Sequence, residues 1–191
     1  MRSAWDDDRY APEADAAERQ AAAAPRGKLA RGLARKLLQQ RSVRGPIVDV
    51  RALIEVERLT YVEVAVDSRL SGQLVYASRE VIVNTKNRSA VRQRFSAAHE
   101  LGHWVLRHYE RETLPDDTLG FDGEYGDPEA VQPRSAIERE ANMFAAELQV
   151  TEAWLRELRQ PIKPGTLDVL ARDFGVSRET MLLQLMEYKL L

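Results

Sequence analysis

Apolar positions recur along the chain with two different periods, and the switches between them outline an α+β protein. Residues 1–27 carry almost no large apolar side chain. Asp6-Asp7-Asp8, scattered charges and the run Ala21-Ala22-Ala23-Ala24-Pro25 cannot bury enough surface to offset ordering entropy, so a flexible tail is expected. From Lys28 to Arg44, Leu29, Leu33, Leu37 and Leu38 make a helical stripe. After Gly45-Pro46, residues Ile47 to Leu59 predict a second helix with Val50, Leu53, Ile54 and Val56 inward. The period then falls to two. Thr60 to Val66 alternates around Tyr61, Val62, Val64 and Val66, and Gly72 to Ala77 and Glu80 to Asn84 follow in the same manner. Their short connections predict a small three-stranded, largely antiparallel sheet.

The helical period returns at Arg94 to Leu106, where Phe95, Ala98, Leu101, Val105 and Leu106 define an apolar face. A connection follows from Glu110 to Gln132, acidic and interrupted by Gly120, Gly123, Gly126, Pro115 and Pro128; one this long is usually functional or mobile. Ile137, Ala141, Phe144, Ala145 and Leu148 then mark a further helix over 135–148. Two short helices close the chain. Leu167, Leu170, Ala171 and Phe174 face one way, Gly175 turns, Ser177 caps, and Met181, Leu182, Leu185 and Met186 form the second face, a helix-turn-helix-like pair. The expected organisation is a tail over 1–27, a mainly helical domain with its small sheet over 28–160, and a helical segment over 161–191.

Composition narrows the classes. The 191 residues are 44% hydrophobic and 30% charged with net charge -2, which is an ordinary globular balance. There is no cysteine, so disulfides and thiolate-held metals are excluded. No apolar run is long enough to cross a membrane and the start lacks a signal-peptide pattern, so a cytoplasmic protein without a membrane partner is expected. Lys28, Arg31, Arg35, Lys36, Arg41 and Arg44 surround the first leucine stripe without an acid, a face that suits DNA or an acidic partner but is more often only solvated. In the last helix Arg178, Thr180 and Gln184 are a thin polar set for reading DNA, so a structural or partner-docking pair is the stronger expectation.

The chemistry concentrates in His99-Glu100-Leu101-Gly102-His103, which holds two of the three histidines in the chain. Residues four apart lie one turn apart on the same helix face, so His99 and His103 can converge on one metal ion, with zinc expected. Glu100, about 100° round the helix from His99, can reach a water on the open coordination position and serve as general base. Gly102 lowers helix propensity and leaves room for something close to the backbone. That is the pattern of a metallopeptidase.

A third ligand is then required. One class of such enzymes places a Gly and a further His just beyond the motif, where this chain has Leu106 and Tyr109. His108 lies off the required face and reads as a helix-terminal residue favoured by the dipole. In the later helix Glu138 projects from the border of the apolar face, with Asn142 one turn on as a hydrogen-bonding support, and Glu140 competes with it. Tyr109, Tyr125, His108 or an Arg could stabilise an oxyanion, and no spacing selects among them. The strand leading into the motif offers Val81, Val83 and Asn84 as substrate-binding candidates if it lies at the sheet edge, against a plain core strand.

Three segments taken together, Val81-Ile82-Val83-Asn84, Arg92 to His103 and Ile137 to Leu148, resemble the ImmA/IrrE family of metallopeptidases from about residue 45 onward. The resemblance implies a thermolysin-like core and one zinc ion per chain, held by His99, His103 and Glu138, with Glu100 as catalytic base. It also implies a zinc endopeptidase that cleaves a helix-turn-helix repressor in a stress, DNA-damage or mobile-element response. The alternative is a non-proteolytic zinc-containing regulator or antitoxin that binds a repressor, toxin or DNA. A site of two imidazoles and one carboxylate would also accept manganese or cobalt.

Overall fold

A computed structural model gives the structure of the chain and describes residues 24–108, 136–158, 162 and 164–191. The tail up to residue 23, the acidic connection, Tyr109 and Tyr125 lie outside the described residues. Two helices lead, α1 (Gly27–Gln40) and α2 (Val50–Val56), followed by strands β1 (Thr60–Val64), β2 (Gly72–Val75) and β3 (Glu80–Asn84). The motif helix α3 (Ala90–Val105) comes next, then α4 (Ala136–Gln149), α5 (Glu152–Arg156), a 3-10 turn (Pro164–Thr166), α6 (Leu167–Phe174) and α7 (Arg178–Glu187). The protein is α+β, as its periodicity predicts.

The sheet departs from the expected pairing. Its order is β1-β3-β2, with β1 parallel to β3 and β2 antiparallel to it, so it is mixed rather than antiparallel. Strand β3 therefore occupies the centre. A central strand has both edges paired, and Val81 and Val83 on one face are buried while Ile82 on the other is partly buried. Val81 and Val83 are fully buried core residues, so they are not available to a substrate. Asn84 is buried as well, and its amide nitrogen donates to the carbonyls of Val66 (3.1 Å) and Leu70 (3.0 Å), holding the loop that leads into β2. The edge that faces α3 belongs to β2.

Helix α3 lies between this sheet and α4, and α1 packs on the far side of α4. Ser89 caps α3 by accepting from the N–H of Arg92 (3.2 Å), which sets where the helix starts and hence which face it turns inward. The buried face of α1 differs from the leucine stripe: Ala30 and Ala34 are in the core with Leu37 and Leu38, whereas Leu29 is 43% exposed. Small side chains one turn apart let the α1 backbone approach α4 closely, which rotates the helix away from its larger leucine. Within the stretch 1–27, the described residues Arg26 and Gly27 are ordered: Arg26 is bound to α4 and Gly27 opens α1.

The C-terminal helices form a second apolar cluster in which Leu167, Leu170, Phe174, Met181 and Leu185 close over Val150 and Leu155, with Trp154 touching both clusters. Ser177 caps α7 at the N–H of Thr180 (3.1 Å), as its position predicts. Glu147, fully buried on α4, ties this unit to α1. It accepts from Arg31 (3.2 Å), Arg35 (3.2 Å) and the Tyr188 hydroxyl, while Arg31 also donates to Gln184 (2.8 Å). Two cations of the basic α1 face are thus used internally. Thr180 and Gln184 point inward too, at 5% and 1% exposure, leaving Arg178 as the exposed member of the polar set on α7.

Candidate metal centre

Burial and helix contact together build the site. Residues Ser96 to His103 form the buried stretch of α3. It is crossed by α4 at Gly102, where an added Cβ would stand 3.0 Å from Phe144 Cδ1 and 3.3 Å from the Ala141 carbonyl. The room that Gly102 leaves is therefore filled by α4. That close crossing brings Glu138 and Asn142, one turn apart on α4, opposite His99 and His103.

The donor atoms converge. His99 Nε2 and His103 Nε2 are 2.9 Å apart, Glu138 Oε2 is 3.2 Å from the first and Glu138 Oε1 is 3.4 Å from the second. Donors bound tetrahedrally to zinc at 2.0–2.1 Å are separated from one another by about 3.3 Å, so the spacing fits the ion. The outer ring nitrogens are also occupied in the sense that metal binding needs. His99 Nδ1 faces Asn142 Oδ1 at 2.9 Å, an acceptor, which puts the proton on Nδ1 and leaves Nε2 as the inward lone pair. Among the described residues these three, two imidazoles and one carboxylate, are the group able to hold a metal. The set is all nitrogen and oxygen.

Electrostatics follow from the same contacts. Burial opposes charge on Glu138, but the imidazoles of His103 and His99 hold its carboxyl well below the usual carboxylate range. Burial also lowers the His99 pKa, yet the Glu138 and Glu100 carboxylates and Asn142 outweigh it and carry it up to about 9. Glu100 is pushed up by burial, offset in part by His99 and His103, and it takes a backbone hydrogen bond from Leu74 on β2. It does not join the metal group. Its neighbour is Gly72, where a Cβ would lie 3.2 Å from Glu100 Cγ and Oε1. The sheet edge, Glu100 and His99 border one cleft of about 440 Å³ that continues to Arg88 and Arg92 and to the start of α7 at Ser177.

The family model for the IrrE N-terminal-like domain, peptidase M78, matches residues 63–186, from within β1 to α7. The chain belongs to this family. None of the curated proteins compared with it matches. Membership in an M78 peptidase family accords with the HExxH helix, and peptidases of this family generally depend on zinc. The IrrE N-terminal-like match takes in α6 and most of α7, so the C-terminal helices that close the cleft fall within the family domain, while α1 and α2 precede it.

Several residues of the site carry no signal in the linear pattern. Gly72 and Leu74 become neighbours of Glu100 only once β2 is known to be the edge that α3 faces. His108, read as a helix-terminal residue, lies just past the end of α3 and is 2% exposed, with Arg107 before it at φ 55°. Its Nδ1 then lies 2.9 Å from His103 Nδ1 and its Nε2 3.3 Å from Glu140 Oε2. Glu140, weighed as a ligand, instead sits fully buried behind His103 and binds Arg26.

Proposed function

We propose that this protein is a zinc-dependent endopeptidase that acts in the cytoplasm and makes a regulatory cut in a helix-turn-helix transcriptional repressor, as part of a stress, DNA-damage or mobile-element response. The observation that supports it most is the convergence of His99, His103 and Glu138 beside an uncoordinated Glu100 at a sheet edge. Three protein donors leave a coordination position open, the arrangement of catalytic sites and not of closed structural ones. No helix among the described residues is long and apolar enough to cross a membrane.

Zinc bound at this centre supplies a Lewis acid that polarises the scissile carbonyl and acidifies water. His99, His103 and Glu138 would hold it, with Asn142 keeping the His99 lone pair directed inward. An extended peptide lies along the outer edge of β2, its backbone pairing with the strand between Gly72 and Val75. Glu100 accepts the proton of the attacking water and returns it to the leaving amine. Burial raises its pKa above the ordinary carboxylate value, and the imidazoles of His99 and His103 oppose that shift.

The test mixes full-length wild type and Glu100→Gln, each with zinc or with chelator, with the helix-turn-helix regulator encoded beside the gene, and follows the regulator by mass spectrometry. A single cut that needs both metal and Glu100 is expected. An intact regulator that co-purifies with the protein would overturn proteolysis in favour of a zinc-containing regulator that acts by binding. Cleavage by Glu100→Gln at the wild-type rate would remove Glu100 as the base.

A further inference from the structure

The two metal-facing histidines are supported differently. Asn142 offers His99 a neutral amide oxygen at 2.9 Å. Behind His103 stands a row of three further groups: His108 Nδ1 at 2.9 Å from His103 Nδ1, Glu140 Oε2 at 3.3 Å from His108 Nε2, and Arg26 on Glu140. Arg26 grips that carboxylate from several donors. Its backbone N–H donates to Oε1 (2.9 Å), Nε lies 3.2 Å from Oε1 and 3.1 Å from Oε2, and NH2 donates to Oε2 (2.9 Å). His108 and Glu140 are both buried.

With the His103 Nε2 lone pair given to a metal, one assignment of protons satisfies the row. Arg26 keeps Glu140 an ionised acceptor, so the hydrogen between Glu140 and His108 belongs to His108 Nε2. A neutral His108 then presents a bare Nδ1. It can only accept, so the shared hydrogen on the other side belongs to His103 Nδ1, and His103 Nε2 is left as a lone pair facing His99 Nε2 and Glu138.

We infer that His108 and Glu140, anchored by Arg26, are positioning residues that set the tautomer and ring orientation of His103 and strengthen it as a metal ligand. This rests on the reading of His99, His103 and Glu138 as a metal centre. Neither residue is one of the three converging donors or lines the cleft. The consequence is a link between the start of α1, which precedes the segment matched by the family model, and the metal site, through residues 26, 140, 108 and 103. Carboxylates that reach a ligating imidazole through a hydrogen bond commonly contribute about 10–100-fold to metal affinity.

The test uses the full chain and two readouts. Zinc affinity is measured by competition with a chromophoric chelator for wild type, His108→Leu and His108→Gln, after circular dichroism has shown that each is folded. His108→Leu is expected to weaken zinc by about 10–100-fold. His108→Gln, whose side-chain oxygen can still accept from His103 Nδ1–H, is expected to recover most of that loss. Equal affinity in wild type and His108→Leu, or equal losses in both variants, would overturn the inference, since packing alone would then account for His108. The second readout needs no variant: long-range ¹⁵N–¹H spectra of the zinc-loaded wild type should show His108 protonated at Nε2 and bare at Nδ1. A proton at His108 Nδ1 would overturn the inference. Wild type that takes up no zinc would remove the metal centre itself, whereas normal uptake with an unaffected His108→Leu removes only the relay.

Discussion

Gly72 on the edge of β2 and Glu100 on α3 approach so closely that any side chain at 72 would meet the Glu100 carboxylate, with the nearest atoms 3.2 Å from a Cβ there. The edge that would receive a peptide and the group that would take the proton are therefore positioned by one contact. Gly72→Val should displace Glu100 while leaving the metal donors on α3 and α4 in place. A displacement of about 1 Å at a reacting group costs on the order of 100-fold in rate. Turnover and zinc content measured on one preparation check this: the first should fall and the second should hold.

Gly102 makes the corresponding contact on the opposite side of α3. A Cβ there would press on Phe144 Cδ1 (3.0 Å) and the Ala141 carbonyl (3.3 Å). Phe144 is fully buried and the carbonyl is backbone, so neither side yields easily. Gly102→Ala gains about 1 kcal/mol of helix propensity but overpacks the crossing by about 1–3 kcal/mol, and a net loss of up to about 2 kcal/mol is expected. The urea midpoint should fall, and zinc affinity should fall with it because Glu138 rides on α4.

These two contacts mark where linear reading stops. The pair His99 and His103 is legible because four residues on one helix guarantee one face, and the apolar face of α4 is legible for the same reason. Glu138 was distinguishable from Glu140 only through family resemblance, since both border the buried face; the contacts separate them, one toward the imidazoles and one toward His108 and Arg26. Strand order was not legible. Period-two alternation marks strands but not their neighbours, and inserting β3 between β1 and β2 requires a parallel pairing that short connections do not suggest. Leu29 misled because apolar size marks burial in general, whereas α1 meets α4 through alanines. His108 was hidden by a left-handed Arg107, a conformation that no glycine announces.

The knot at Glu147 gives a stability prediction. Glu147 is buried with no exposure, between Arg31, Arg35, Gln184 and Tyr188. Removing one member of a buried ion pair leaves the others uncompensated and costs about 3–5 kcal/mol. Glu147→Leu should lower the urea midpoint accordingly, and because the knot joins α1, α4 and α7, it should also increase hydrogen exchange in α7.

The same knot makes stability pH-dependent at the alkaline end. Burial and the hydrogen bond to Glu147 raise the Tyr188 pKa above the ordinary tyrosine value near 10, with Arg31 and Arg35 opposing. A proton held more tightly in the folded state contributes stability that is fully present below the unfolded pKa and is lost as pH rises above it. The urea midpoint should therefore decline from about pH 10 upward. Tyr188→Phe should start lower and decline less over that interval.

Metal analysis of the full chain shows whether one metal ion is held by His99, His103 and Glu138. Wild type, Glu100→Gln and Glu138→Ala are loaded with zinc, freed of excess by gel filtration and assayed by inductively coupled plasma mass spectrometry. Wild type and Glu100→Gln should each retain one zinc per chain, and Glu138→Ala should retain little. Full occupancy in folded Glu138→Ala, or no retention in wild type, would contradict the account.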